Sequence, residues 1–110
     1  FLSGIHWMDE GGIIGVERLE EVLREHPVDR IVCGHLHRSV TSTFAGIVCQ
    51  VGMSTVQHVH LDLAERATVA VVDDPAGYQI HRVAGTEVAT HSRFIRSGAP
   101  IVPAWAADHG

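Results

Sequence analysis

The densest cluster of chemically capable side chains in this 110-residue sequence lies in the segment 34–38, which reads Gly-His-Leu-His-Arg. Two imidazoles one residue apart can ligate one metal ion or two neighbouring ions, and the glycine before them lets the backbone turn sharply. A His-x-His pair by itself is a weak signal, because such pairs also occur on solvent-facing strands. Here the pair follows a β-branched run at 29–34, which strengthens the hypothesis that His35 and His37 are metal ligands.

A second group of polar residues, His58, His60 and Asp62, alternates with mostly apolar residues in the stretch 55–63. Period-two spacing would place the three side chains on one face of a strand, where they could bind a metal. The plainer interpretation is the solvated face of a half-exposed strand. A hydrolase triad of Ser54, His58 and Asp62 is excluded, because the sequence lacks the Gly-x-Ser-x-Gly elbow and residues four apart on a strand lie too far from one another.

Both cysteines, Cys33 and Cys49, lie in apolar runs and are predicted to be buried thiols. Two cysteines in a chain of this length do not make a disulfide framework, which favours a reducing compartment and, we expect, the cytoplasm. Because a buried cysteine is usually inert, Cys33 is discounted as a nucleophile.

The elements that must position residues 34–38 are one amphipathic helix and a series of strands. Apolar residues recur at helical spacing over 15–26, and Pro27 predicts that the helix ends at His26. Strands are predicted at 29–34, 40–45, 47–51, 55–63, 68–72, 78–83 and 87–95, with a hairpin turn at Gly46. The sequence therefore predicts an α/β chain of the α+β type, with one amphipathic helix followed by mostly antiparallel strands.

The composition indicates one domain with an acidic charge balance. Eight Lys plus Arg residues against thirteen Asp plus Glu residues give a formal net charge of −5. The basic residues are scattered singly, so a nucleic-acid polymer is not an expected partner. No apolar run approaches the roughly 20 residues that cross a bilayer, so no membrane partner is expected either. The sequence begins with Phe1 rather than Met, which predicts a fragment of a longer protein.

The segment 31–38, Ile-Val-Cys-Gly-His-Leu-His-Arg, resembles the Gly-His-x-His motif of the calcineurin-like metallophosphoesterases. Within that family it is most similar to the bacterial cyclic-nucleotide and glycerophosphodiester phosphodiesterases. Further similarity lies at 4–9, 53–57, 77–81 and 88–91, so the resemblance covers residues 1–95. It implies that residues 1–97 are the C-terminal portion of an αββα sandwich. Residues 98–110 contain Pro100, Pro103 and several alanines with no clear period, so they are expected to form a flexible tail.

The resemblance also implies a metal-dependent phosphodiesterase, in which two divalent ions clamp the phosphoryl oxygens and activate water. The ions would be Fe, Mn, Zn or Co, which imidazole ligands suit. Residue by residue, the resemblance assigns His37 to the first metal and His35 to the second, and it places Arg38 and Trp7 near the phosphodiester substrate. The plainer interpretations are a solvated or structural charge for Arg38 and a core or chain contact for Trp7. The resemblance identifies no catalytic residue in this sequence.

The sequence lacks the family's other metal ligands. It contains no Asp-x-His motif, and because it contains no Asn it also lacks the family's Asn-His motif. Two imidazoles cannot hold two ions, so the chain alone is expected to be inactive and to need a missing N-terminal half or another copy, as a homo-oligomer. The alternative is a truncated, non-catalytic β-rich module that self-associates through unpaired strand edges.

Overall fold

A computed structural model describes residues 3–66, 68–96 and 98–109 of the chain. In chain order its elements are α1 (His6–Asp9), α2 (Val16–Glu25), β1 (Ile31–Cys33), β2 (Val40–Phe44), β3 (Ile47–Val51), β4 (His58–Val59), β5 (Val71–Val72), β6 (Gly77–Ala84), β7 (Glu87–Phe94) and a 3₁₀ helix (Ala104–His109). Short helices combined with mostly antiparallel strands make an α+β fold, which confirms the predicted fold class.

Helix α2 matches the predicted amphipathic helix. It begins after Gly15, whose backbone is left-handed (φ 80°, ψ 27°), and it ends before His26, whose backbone is extended (φ −126°, ψ 145°). The extended backbone follows from Pro27, which disfavours helical geometry at the residue before it. An ion pair between Arg24 and Glu20 lies on the polar side of the helix. No helix in the described ranges is both long and apolar enough to cross a membrane.

Strands β1, β2 and β3 form one sheet in the order β1-β3-β2. The antiparallel strands β2 and β3 are joined by Ala45 and Gly46, which both have positive φ (52° and 77°), the pattern of a type I′ turn. Strand β1 pairs in parallel with β3, with Cys33 opposite Val51. Strand β1 is therefore an edge strand, and its carboxyl end leads directly into the segment 34–38.

The long strands β6 and β7 form a separate hairpin. Each strand has eight residues, and the register begins with Gly77 opposite Phe94. Arg30, just before β1, connects this hairpin to the three-stranded sheet, because its guanidinium donates to Thr90 Oγ1 (2.9 Å) and to the Val88 carbonyl (2.8 Å). These two bonds hold the middle of β7 beside the start of β1.

The strands predicted at 29–34, 40–45, 47–51, 78–83 and 87–95 are confirmed as β1, β2, β3, β6 and β7, with ends that differ by up to two residues. The strand predicted at 68–72 is reduced to the two residues of β5, and the long strand predicted at 55–63 is wrong over most of its length. Only β4 forms there, paired with the two residues of β5. Local bonds compete with strand pairing on both sides of β4: Val56 N donates to Ser54 Oγ (3.0 Å) and Ala64 N donates to Asp62 Oδ1 (3.0 Å). Helix α1 and the 3₁₀ helix are too short for periodicity to reveal.

The described part of the chain has a small core. Its buried apolar side chains are Ile5, Cys49, Val51 and Val59. The radius of gyration is 17.6 Å, with principal extents of 55 × 38 × 20 Å, whereas a compact domain of 110 residues has a radius of gyration of about 13 Å. The chain is therefore elongated and leaves much apolar surface in contact with solvent.

Candidate functional site

The segment 34–38 leaves β1 as a tight loop with an unusual backbone. His35 and His37 both have left-handed backbone, with φ of 76° and 51°. This conformation costs a residue other than glycine about 1–2 kcal/mol. Both side chains are exposed. Strained backbone at two exposed residues of a metal-ligating type supports the hypothesis that this loop is functional, because packing does not explain the choice of histidine there.

Backbone contacts hold this loop between the end of β1 and β4. Gly52 N donates to the Cys33 carbonyl (2.8 Å), and Val59 N donates to the His37 carbonyl (3.2 Å). Arg38 Nη1 in turn donates to the Val59 carbonyl (2.8 Å). Arg38 therefore has a structural contact in this arrangement, and its contact with substrate stays a prediction.

A cleft of about 470 Å³ opens beside the loop. Its lining comes from α1, the turn before α2 and the end of β1, and it includes Met8, Asp9, Ile13, Cys33, His35 and Leu36. This volume lies in the range of small-molecule sites, and a mostly apolar lining with few polar groups is typical of them. Trp7, beside Met8 in α1, is half-buried, and its predicted role near the substrate stays a prediction.

Asp9 shapes one rim of the cleft by holding the chain that precedes α1. Its carboxylate accepts hydrogen bonds from Ser3 N (2.9 Å), Ser3 Oγ (2.8 Å) and Gly4 N (2.9 Å). Burial raises the pKa of Asp9, but the bonds from Ser3 and Gly4 outweigh burial and hold the pKa of the carboxyl below its ordinary value. No sequence motif indicates this role, because the bonds come from backbone and side-chain groups outside the helix that contains Asp9.

The three polar residues of the stretch 55–63 do not form one face in the described structure. His58 is only 6% exposed, whereas His60 is exposed, and Asp62 is engaged by the amide of Ala64. Both interpretations of these residues, as a metal site and as a solvated strand face, assumed a strand over the whole stretch. That assumption is wrong, and with it the geometric argument for a His-His-Asp site.

Two imidazoles are the metal-ligating groups that the loop itself offers. Neutral imidazole suits Zn, Fe, Co and Mn, so the donor type of His35 and His37 fits the ions that the resemblance implies. Within residues 3–66, 68–96 and 98–109, however, no three or more His, Cys, Asp or Glu side chains are grouped so that they could hold an ion. The loop therefore fits part of a metal centre, and the assignment of His35 and His37 as ligands stays a prediction.

The two cysteines lie close together, and one of them is more accessible than the sequence predicts. Cys49 is buried as predicted, and burial together with the neighbouring Cys33 raises the pKa of its thiol to about 11. Cys33 is exposed, so the prediction that it is buried is wrong. Its exposure follows from its position at the end of an edge strand, where Val32 is also exposed. The two sulfur atoms lie 4.0 Å apart.

Comparison with known proteins connects this chain to a phosphodiesterase. No family model matches the sequence. Over 95 residues it is 33% identical to a protein from Arcobacter nitrofigilis named probable glycerophosphodiester phosphodiesterase GpdQ. The aligned region covers 84% of this chain and 35% of that protein, so the chain spans about a third of the length of this relative. The similarity supports the resemblance drawn from the loop at the level of a phosphodiesterase-like portion.

Proposed function

We propose that this chain is part of a metal-dependent phosphodiesterase and that His35 and His37 contribute imidazole ligands to a dinuclear metal site. The observation that carries the proposal is the exposed histidine pair, held in left-handed backbone at the carboxyl end of β1 beside the cleft. The similarity to the Arcobacter nitrofigilis protein supports it, because that protein is named as a phosphodiesterase.

In this proposal different residues of the chain bind the metal ions and the substrate. Bound divalent ions supply Lewis acidity toward the phosphoryl oxygens. His35 lines the cleft, so an ion held by its imidazole would lie near a phosphodiester bound there, and Met8 and Leu36, which line the same cleft, would contact the carbon groups of the ester. In this proposal Arg38, whose Nη1 donates to the Val59 carbonyl, and Trp7 lie near the substrate, as the resemblance implies. The substrate class is a glycerophosphodiester or a cyclic nucleotide.

The remaining ligands have to come from outside this chain's loop. A catalytic ion needs about three protein ligands, and the described residues group no third His, Cys, Asp or Glu with the pair. We therefore include in the proposal a partner that supplies them, either a further segment of a longer protein or a second copy of the chain. The share of the relative that lies outside the aligned region, about two thirds of its length, leaves room for such a segment.

Hydrolysis of bis(p-nitrophenyl) phosphate with added Mn²⁺ tests the proposal on the natural protein and on the 110-residue chain. We expect turnover by the natural protein, with metal bound, and none by the isolated chain. His35→Ala and His37→Ala should each lower kcat/KM more than about 10-fold, because ligand loss costs at least as much as losing a ligand's supporting contact. His91→Ala, which removes an exposed imidazole from β7, is the control. Equal activity of all three variants would refute the proposal.

A second candidate function is favoured by the elongated shape of the chain. Apolar side chains such as Val32, Ile80 and Val83 are about half exposed or more, and β1 offers an unpaired edge. A chain with these properties can act as a self-associating β-rich module without catalysis. The activity of the natural protein separates this candidate from the first.

A further inference from the structure

Cys33 and Cys49 form a thiol pair across neighbouring strands. Strands β1 and β3 run parallel, with Cys49 opposite Ile31 and Cys33 opposite Val51. The two cysteines are therefore diagonal neighbours, and because side chains alternate along a strand they lie on the same face of the sheet. Their sulfur atoms are 4.0 Å apart, a contact between two free thiols.

The two thiols differ sharply in their access to solvent. Cys33 is exposed and lines the cleft beside His35, whereas Cys49 is only 2% exposed. Burial also keeps the Cys49 thiol protonated at neutral pH, since its pKa is raised to about 11. A small oxidant in solution therefore reacts first with the exposed Cys33 thiol. The buried Cys49 thiol contacts Cys33 and can react with the oxidised form of that residue.

We propose that Cys33 is a site of oxidation by hydroperoxides and that Cys49 is its resolving thiol. With hydrogen peroxide, Cys33 Sγ attacks one oxygen, the O–O bond breaks, and the products are a sulfenic acid and water. Cys49 Sγ then attacks the oxidised sulfur, so that an S–S bond forms, the S–O bond breaks, and the hydroxyl leaves as a second water with the thiol proton. The two thiols lose two electrons and two protons, which reduce the peroxide.

Closing this pair has a structural consequence for the loop at 34–38. A disulfide needs its sulfurs at about 2.0 Å and its Cα atoms at about 5.5–6 Å, whereas diagonal neighbours on paired strands have Cα atoms roughly 7–8 Å apart. Strand β1 must therefore shift along β3 when the bond forms, because the two cysteines are offset by two residues along the paired strands. As an edge strand of three residues, β1 is the element best able to move. The bond from Gly52 N to the Cys33 carbonyl lies at the point of movement.

Peptide mapping after peroxide treatment tests this inference and needs no catalytic activity. The reduced chain is treated with hydrogen peroxide, quenched with iodoacetamide and digested without reductant. We expect one peptide pair linked through Cys33 and Cys49 within a single chain, with the loss of two hydrogens and reversal by dithiothreitol. In Cys49→Ser, dimedone should instead trap a sulfenic acid on Cys33, and in Cys33→Ser the remaining thiol should resist oxidation.

Repeating the oxidation in urea distinguishes a prearranged pair from a chance encounter of two cysteines. The disulfide should form several-fold more slowly in the unfolded chain, where loop closure has to bring the thiols together. Equal rates in both states would overturn the inference. A native chain that gives only a dimedone adduct on Cys33, or a disulfide between two chains, would overturn it as well. The wild-type map decides the question even where a serine variant fails to fold.

Discussion

His35 and His37 occupy backbone positions at which glycine is the residue of lowest conformational cost. Their positive φ angles place each in the left-handed region, where a Cβ atom crowds the following carbonyl. Neither side chain is buried, so packing does not repay this cost. A residue other than glycine is expected in such an unfavourable backbone conformation where its side chain has a function. This expectation agrees with the proposed role of the two imidazoles.

Comparing two substitutions at His35 measures this backbone cost directly. His35→Gly and His35→Ala both remove the imidazole, but only alanine keeps a Cβ atom in the left-handed region. We expect the glycine variant to be more stable by about 1 kcal/mol in urea unfolding. At His91, in the extended strand β7, the order should reverse, since glycine weakens a strand interior. An alanine variant as stable as glycine at position 35 would contradict the prediction.

The stability of the segment at the rim of the cleft is expected to depend on pH through the ionisation of the Asp9 carboxyl. Because hydrogen bonds from Ser3 and Gly4 hold its pKa below the ordinary value of 3.8 despite the opposing effect of burial, its contribution to stability is present above that ordinary pKa and is lost as the pH falls through the lowered pKa. Ser3→Ala removes a donor, so the pKa of Asp9 should rise toward its ordinary value in an NMR titration. Ser92→Ala, which removes an exposed hydroxyl from β7, is the control and should leave the titration of Asp9 unchanged.

For the helices and strands, residues adjacent in the sequence predicted the features that depend on neighbouring residues, namely a helix end and a hairpin. Pro27 located the end of α2, and the glycine in the turn between β2 and β3 located that hairpin. The parallel pairing of β1 with β3 was beyond prediction, because it depends on which distant strand is available as a partner. For the same reason the sequence did not reveal that the stretch 55–63 has only β5 to pair with.

In the candidate site, too, the residues of a short motif could be predicted from the sequence, whereas contacts between distant segments could not. The motif at 34–38 identified His35 and His37 from adjacent residues alone. The cleft, however, is assembled from three separate segments of the chain, and Asp9 acts through a donor outside its own helix. The exposure of Cys33 depends on the sheet order. These features depend on contacts between segments that are distant in the sequence, so no pattern of residue spacing predicts them.

The β2–β3 turn offers a direct gain in stability. Ala45 has φ of 52° and precedes Gly46, so it occupies the first central position of the turn. Asparagine tolerates left-handed backbone better than alanine, and Asn-Gly is the favoured type I′ sequence. Ala45→Asn should therefore raise the free energy of unfolding by about 0.5–1 kcal/mol. Ala89→Asn, within strand β7, should give no gain, and an equal gain there would show that the turn is not the cause.

At the scale of the whole molecule, the small core and the elongated shape favour association. The radius of gyration of 17.6 Å exceeds the roughly 13 Å of a compact domain of this length. Burial of apolar surface contributes about 25 cal/mol per Å², so the apolar side chains that remain in solvent favour contact with a partner. Whether the partner is a further segment of a longer protein or a second copy, the surfaces involved should include the unpaired edge of β1.

Light scattering coupled to gel filtration checks this expectation for the isolated chain. The apparent mass should rise with concentration and exceed the 11.9 kDa of one chain. Val32→Lys places a charge on the edge strand β1 and should reduce association, because lysine on an edge blocks strand addition. Thr86→Lys introduces the same charge in the turn between β6 and β7, outside any strand, and serves as the matched control. A monomer at all concentrations would contradict the prediction.

The sheet order β1-β3-β2 also determines the order in which the sheet assembles. Strands β2 and β3 are neighbours along the chain, and a β-hairpin of this kind can form in about 1–10 microseconds. Strand β1 pairs with β3, which comes after β2, so it has to wait for that hairpin and then close a longer loop. We therefore expect β1 to join the sheet last and to detach from it first. The histidine loop that follows β1 therefore takes its final conformation only at the end of folding, and an ion bound there would slow the first step of unfolding.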